Sequence, residues 1–206
     1  MKQEEKTKLT KERILQAAFQ EFGTKGYAAT TLNALCSRYG IAKGLLYHNF
    51  EGKDDLYLAC VSQCFSDIME YLKSQNVRDD LKKSVRIRFQ YFAQHPCSAR
   101  IFFEAMLQLP AALAEKVQEL RKDFDAFNRE IYRAALSKLT FREGVTEADA
   151  IEYYELMQDI YNGYFRSSTY ATQDFDSLVA KHEEHLAKML NIMLYGIALG
   201  ERRREK

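Results

Sequence analysis

Apolar residues recur at three- and four-residue spacing through most of this chain, and only two prolines, Pro96 and Pro110, interrupt the pattern. That spacing lays an apolar stripe along a 3.6-residue helix, whereas the alternating Val/Ile/Thr runs of half-buried strands are nearly absent. The pattern predicts an all-α fold of about nine helices and no sheet.

Local start and stop signals divide the pattern. Thr10 before Lys-Glu-Arg reads as an N-cap for a first helix, which ends near Phe22 with Gly23 and Gly26 as its stop. Thr30-Thr31 opens a short helix, Leu32 to Tyr39, closed by Gly40, and Ala42 to His48 forms another. A long periodic segment runs from Lys53 to about Ser74, and further helices end near Gln94 and Gln108. Residues 111 to about 139 read as one amphipathic stretch. Thr146 with Asp149 resembles a capping box and opens a helix to about Ala171. The last helix is expected from about Asp176 to Leu199, with Gly200 as its cap and the basic Arg202-Arg203-Arg204 beyond.

Charge separates the two ends of the chain. Residues 1–53 carry nine Lys/Arg against five Asp/Glu, while residues 54–206 carry 21 against 24. A basic N-terminal head suits a polyanionic partner. With 47% hydrophobic residues the chain has ample material for a core. It contains no apolar stretch of the roughly 18–20 residues that span a bilayer, and its start has no apolar signal region, so a cytoplasmic protein with no membrane partner is expected. Cys36, Cys60, Cys64 and Cys97 are read as free thiols.

Two short helices joined by a tight glycine turn form a helix-turn-helix. In its second helix Gly44 keeps bulk low where backbones approach closely, and Ala42, Lys43, Leu45 and His48 are candidates to read base edges. The hydroxyls of Thr30, Thr31 and Tyr47 suit phosphate oxygens, and Lys53 adds charge at a helix N-terminus that already attracts anions. Leu32, Leu35, Ile41, Leu46 and Phe50 fall at core spacing.

The run from Thr30 to Leu56 resembles the DNA-binding head of the TetR family of transcriptional regulators. Thr30, Gly40, Ile41, Gly44, Tyr47, Phe50, Lys53 and Leu56 occupy the motif positions, and Phe22, Gly26 and Tyr27 extend the likeness to roughly residues 10–58. Two departures stand out. Ala42 replaces the usual capping serine of the recognition helix, and Tyr39 and Cys36 stand where small residues are common.

The resemblance implies a head at residues 1–53 and a ligand-sensing and dimerisation body at residues 54–206. It implies a homodimer paired through the last two helices on palindromic double-stranded DNA, with Leu186, Leu190, Met193, Leu194 and Ile197 as surplus apolar residues. It also implies a cavity for a small apolar or aromatic effector, for which Phe102, Phe103, Met106, Phe124, Phe127, Met157, Tyr161, Tyr164 and Phe165 are lining candidates. These aromatics serve equally as core.

No cofactor, metal or catalytic constellation is expected. Cys60 and Cys64, with His95 and Cys97, could assemble a soft-metal or thiol site but read more simply as buried apolar residues. His182-Glu183-Glu184-His185 has three-residue histidine spacing and reads as a surface helix without chemistry. The expected activity is ligand-responsive repression of transcription, not an enzymatic reaction. A body that works through protein partners without a ligand is the alternative, and a helical enzyme or carrier is a third.

Overall fold

The computed structural model describes residues 3–166, 174–196 and 198–201. Ten α-helices occur among them: α1 Gln3–Ala29, α2 Leu32–Tyr39, α3 Lys43–Asn49, α4 Lys53–Ser74, α5 Leu81–Gln94, α6 Pro96–Leu107, α7 Ala114–Leu120, α8 Lys122–Leu136, α9 Glu147–Arg166 and α10 Phe175–Gly196. The all-α expectation holds. A short antiparallel pairing of β1 Leu139–Phe141 with β2 Ala198–Glu201 is the departure from it.

Several boundaries move. Residues 3–9 join α1, so Thr10 lies inside the helix and caps nothing. Gly23 also lies inside α1, where it admits α6: a Cβ there would sit 2.4 Å from Cys97 Cβ. The break comes at Gly26, with φ 81° and ψ 170°, a backbone region that glycine adopts readily. The stretch from 111 divides into a 3-10 turn (Ala111–Leu113), α7 and α8, and Asp123 and Asp125 favour a fresh N-terminus at the last of these. Helix α10 stops at Gly196, and Gly200 pairs with Thr140 in the ladder instead of capping a helix. Thr146 and Asp149 do exchange bonds, Thr146 N–H to Asp149 Oδ2 at 2.8 Å and Asp149 N–H to Thr146 Oγ1 at 3.1 Å. The expected continuation of α9 to Ala171 and the tail Arg202-Arg203-Arg204 lie outside the described residues.

The chain packs as two compact units. One comprises Met1–Ile68 and Tyr91–Lys122, the other Met69–Gln90 and Asp123–Lys206. In the first, Ile14, Ala18 and Phe22 of α1 are buried together with Leu35, Leu46, Leu56 and Tyr57. Phe102 and Phe103 of α6 pack with Phe92, at ring centroid distances of 4.8 and 5.2 Å.

The second unit has an apolar core that includes Phe127, Ile131, Tyr132, Leu178 and Leu186. It also holds a buried polar network that sequence reading treated as surface. The Arg88 guanidinium meets both oxygens of Glu183 at 2.8 and 3.0 Å, His182 Nδ1 lies 3.2 Å from Glu183, and His182 Nε2 lies 3.3 Å from Asn162 Oδ1. Burial opposes ionisation of Glu183, but Arg88 and His182 outweigh it and hold the carboxyl below its ordinary range. The network ties α5, α9 and α10 together.

Removing one partner of a buried pair leaves an uncompensated charge. Arg88→Met is expected to cost about 3–5 kcal/mol in urea unfolding at neutral pH. Because the folded-state pKa of Glu183 is depressed, the pair's contribution is present above the ordinary value of 4.5 and is lost as pH falls through the lowered one. The difference between wild type and variant should therefore shrink in acid.

Candidate nucleic-acid interface

Helix α3 is only seven residues long, too short to persist alone, so its position depends on what it buries. Leu46 is its fully buried anchor, with Ile41 before it and Phe50 after it also in the core. The opposite face stays in water: Ala42, Lys43, Gly44 and His48 are exposed, Leu45 is 43% exposed and Tyr47 57%. A Cβ added at Gly44 would meet nothing within 4 Å, so the smooth spot lies on open surface.

The preceding turn is built from local chemistry. Thr31 caps α2, its hydroxyl accepting from Ala34 N–H at 3.2 Å. Gly40 ends α2 in the left-handed region with φ 61°, its N–H on the Cys36 carbonyl. Ala42 opens α3 without a side-chain cap, as its methyl group requires. Tyr39 is half-buried, its carbonyl accepts from Arg13, and the Arg38 guanidinium lies 5.7 Å from its ring centre.

Thr30 departs from expectation. It is fully buried and its hydroxyl donates to the Gly26 carbonyl at 2.8 Å, so in this arrangement it braces the turn and presents nothing to a phosphate. Lys53 begins α4 and lies half-buried, its Nζ 4.2 Å from the centre of the Tyr27 ring and 3.5 Å from the Ala28 carbonyl. The Tyr27 hydroxyl donates to Asp54 at 2.5 Å, and burial, with Asp54 adding to it, pushes that phenol up to about 12. Lys53 is thereby held against the last residues of α1, beyond the Gly26 break.

One contributor was invisible to sequence reading. Beyond the Gly26 break, the Tyr27 N–H donates to both Glu104 oxygens at 2.9 Å, and the Tyr57 hydroxyl donates to the same carboxylate at 3.2 Å. Glu104 lies 77 positions from Tyr27, on α6, and no local motif marks it. Burial raises its pKa against the lowering effect of these bonds and of Arg100 and Lys53. Glu21 plays a similar part, buried between Lys25 at 2.5 Å and Arg38 at 3.2 Å.

The expected effector residues are divided between the two compact units. Phe102, Phe103 and Met106 belong to the first compact unit and are buried there, whereas Phe124, Phe127, Tyr161 and Phe165 are buried in the second. Met157, Tyr161 and Tyr164 share a cavity of about 420 Å³ with Ile160, His185 and Ile192. Tyr164 itself is 52% exposed. Cys60 and Cys64 are buried, which pushes both thiols up, and His95 stacks on Tyr91 at 4.2 Å. Among the described residues no helix is long and apolar enough to cross a membrane.

A buried anchor under a short exposed helix, entered by a glycine turn, is the geometry of a helix-turn-helix reader. Residues 14–60 match the family model of bacterial regulatory proteins of the tetR family. An uncharacterised HTH-type transcriptional regulator of Bacillus subtilis, YerO, is 30% identical over 147 residues, covering 66% of this chain and 48% of that protein. IcaR of Staphylococcus epidermidis, the HTH-type negative transcriptional regulator of the biofilm operon icaADBC, is 32% identical over 62 residues, 30% of this chain and 34% of that one. The chain thus spans less than half the length of these two curated relatives. The crystal structure of the Bacillus subtilis transcriptional regulator FadR in complex with stearoyl-CoA shares the fold, with a TM-score of 0.62 at 18% identity over 90% of this chain and 98% of that one. Residues 14–60 are thus identified with the DNA-binding head of the tetR family of bacterial regulatory proteins.

Glu104→Ala should strand the Tyr27 N–H and cost about 1–3 kcal/mol in chemical denaturation, whereas Glu104→Gln keeps an acceptor and should recover most of that loss.

Proposed function

We propose that this chain represses transcription as a homodimer on a palindromic operator and is released by a small-molecule effector. The observation that carries the DNA-binding part is the exposed face of α3, where Lys43, Leu45, Tyr47 and His48 stand on the buried Leu46. Lys43, Leu45 and His48, with Ala42, read bases; Tyr47, Thr31 and Lys53 hold phosphates; Gly44 allows close approach. Residues 1–53 read DNA, and residues 54–206 sense the effector and pair subunits. The repressor assignment draws on the name of the IcaR relative, and the effector reading on the FadR structure with stearoyl-CoA.

Pairing through the last two helices has support in side chains left in water. On α9, Tyr153, Leu156, Ile160 and Tyr164 are between 42% and 55% exposed at three- and four-residue spacing, and Ile192 of α10 is 69% exposed. A stripe of that length on one helix face suits a partner helix. Two heads about one helical turn apart, roughly 34–36 Å, read two half-sites. The effector favours a body state whose heads no longer fit that spacing, since only differential affinity for two states moves an equilibrium. A regulator of this kind works in the cytoplasm, beside the DNA, and needs no catalytic group.

Selection of duplexes from a random pool tests the reading. It should recover a palindrome, and binding to that palindrome should fall steeply with salt and be lost in Tyr47→Phe combined with Lys53→Ala. Failure to enrich any sequence overturns it. Separately, Leu156→Glu with Ile160→Glu should convert the dimer to monomer in analytical ultracentrifugation; an unchanged sedimentation coefficient contradicts the pairing.

A further inference from the structure

Residues 81–90 of α5 belong to the same compact unit as α10 and run antiparallel to it, since Arg88 meets Glu183 at one end while Lys82 meets Tyr195 at the other. Between them lies an open cavity of about 590 Å³, within the usual size range of small-molecule sites. Its α5 wall includes Val85 and Phe89, and its α10 wall includes Ala180, Ala187, Leu190 and Leu194. The groove is open because Ala180 and Ala187, two turns apart, present only methyl groups toward it. Phe89 is 51% exposed beside it, a large apolar ring left in water.

Charge around the groove is uneven. Its two acids are already paired, Glu183 with Arg88 and Glu184 with Lys188. Lys82 and Arg86, one turn apart on α5, also line it, and neither has a carboxylate partner among the described residues. Lys82 leans toward Tyr195, with its Nζ 3.3 Å from the hydroxyl. The groove therefore offers an apolar wall and two adjacent cations, of which arginine can grip a carboxylate with a fork of two N–H groups.

We propose that the α5–α10 groove binds a medium-chain carboxylate, its alkyl chain against Val85, Phe89, Ala187 and Leu190 and its carboxylate against Lys82 and Arg86. The span from Leu81 to Phe89 is about 12 Å at the rise of an α-helix, which sets the chain length. Ile192, on the exposed apolar stripe, lies on the opposite face of α10, so subunit pairing there leaves the groove open. The inference deepens the effector reading above and rests on it for its regulatory meaning, though not for binding itself.

Titration calorimetry of the 206-residue chain with decanoate tests the site. One decanoate should bind per chain, and octanoate should bind roughly fifteenfold more weakly for its two missing methylenes. Lys82→Gln with Arg86→Gln, both surface changes, should weaken decanoate at least tenfold and leave methyl decanoate unchanged. Ala187→Trp should fill the groove and abolish both. Absence of decanoate binding, or binding indifferent to the cation pair and to Ala187→Trp, overturns the site, as does loss of the dimer in Ala187→Trp, which would make a second copy the occupant. Selection of a palindrome is independent of these outcomes. Decanoate that binds as expected but leaves the operator complex intact would confirm the site and sink its role as effector.

Discussion

The contact on which the reading head depends is a single carboxylate closing a broken helix. At Gly26 the α1 helix breaks, and the next amide, that of Tyr27, would otherwise be left part-buried without a protein acceptor. Glu104 takes that amide with both oxygens and holds Tyr57 of α4 with one of them. A buried donor left open costs more than the bond gains when made, so the break is tolerable only with an acceptor in place. Thr30, Tyr27 and Lys53 are then arranged around the same turn: a hydroxyl inward on Gly26, a phenol on Asp54, an ammonium over the ring. The exposure of α3 follows from this, because α2 and α4, which flank it, are fixed from the same corner.

What could be read from the sequence was what short-range chemistry decides. Thr31 as a cap, Gly40 in the left-handed region, the uncapped Ala42 and the reciprocal Thr146–Asp149 bonds all involve residues within a few positions of one another. Of the periodic set Leu32, Leu35, Ile41, Leu46 and Phe50, all are buried but Leu32, which is half-buried. What escaped is long-range. Thr30 resembles a phosphate ligand by type, yet folding turns its hydroxyl inward. Glu183 reads as a surface acid beside Glu184 until Arg88, 95 positions away, meets it. Helix α10 ends at Gly196, short of the expected Leu199, and β2 beyond it pairs with a segment about 60 residues earlier, which no local pattern marks.

The body distributes apolar surface in a way that a lone folded unit does not need. Its core is closed by Phe127, Tyr132 and Leu186, yet Tyr153, Leu156, Ile160, Tyr164 and Ile192 remain in water on one side and Phe89 on another. These are the two faces to which the proposals assign different occupants, a helix pair for the long stripe and a slender amphiphile for the groove lined by Lys82 and Arg86. The Arg88–Glu183–His182–Asn162 network lies beneath the groove wall and gives α5, α9 and α10 a defined mutual register.

Amide hydrogen exchange with and without a selected duplex tests the central claim most directly. The account predicts new protection confined to the first turn of α2, to α3 and to the residues around Lys53, with α8 unchanged. Protection that appears elsewhere, leaving Lys43 to His48 exchanging as in the free protein, would contradict it.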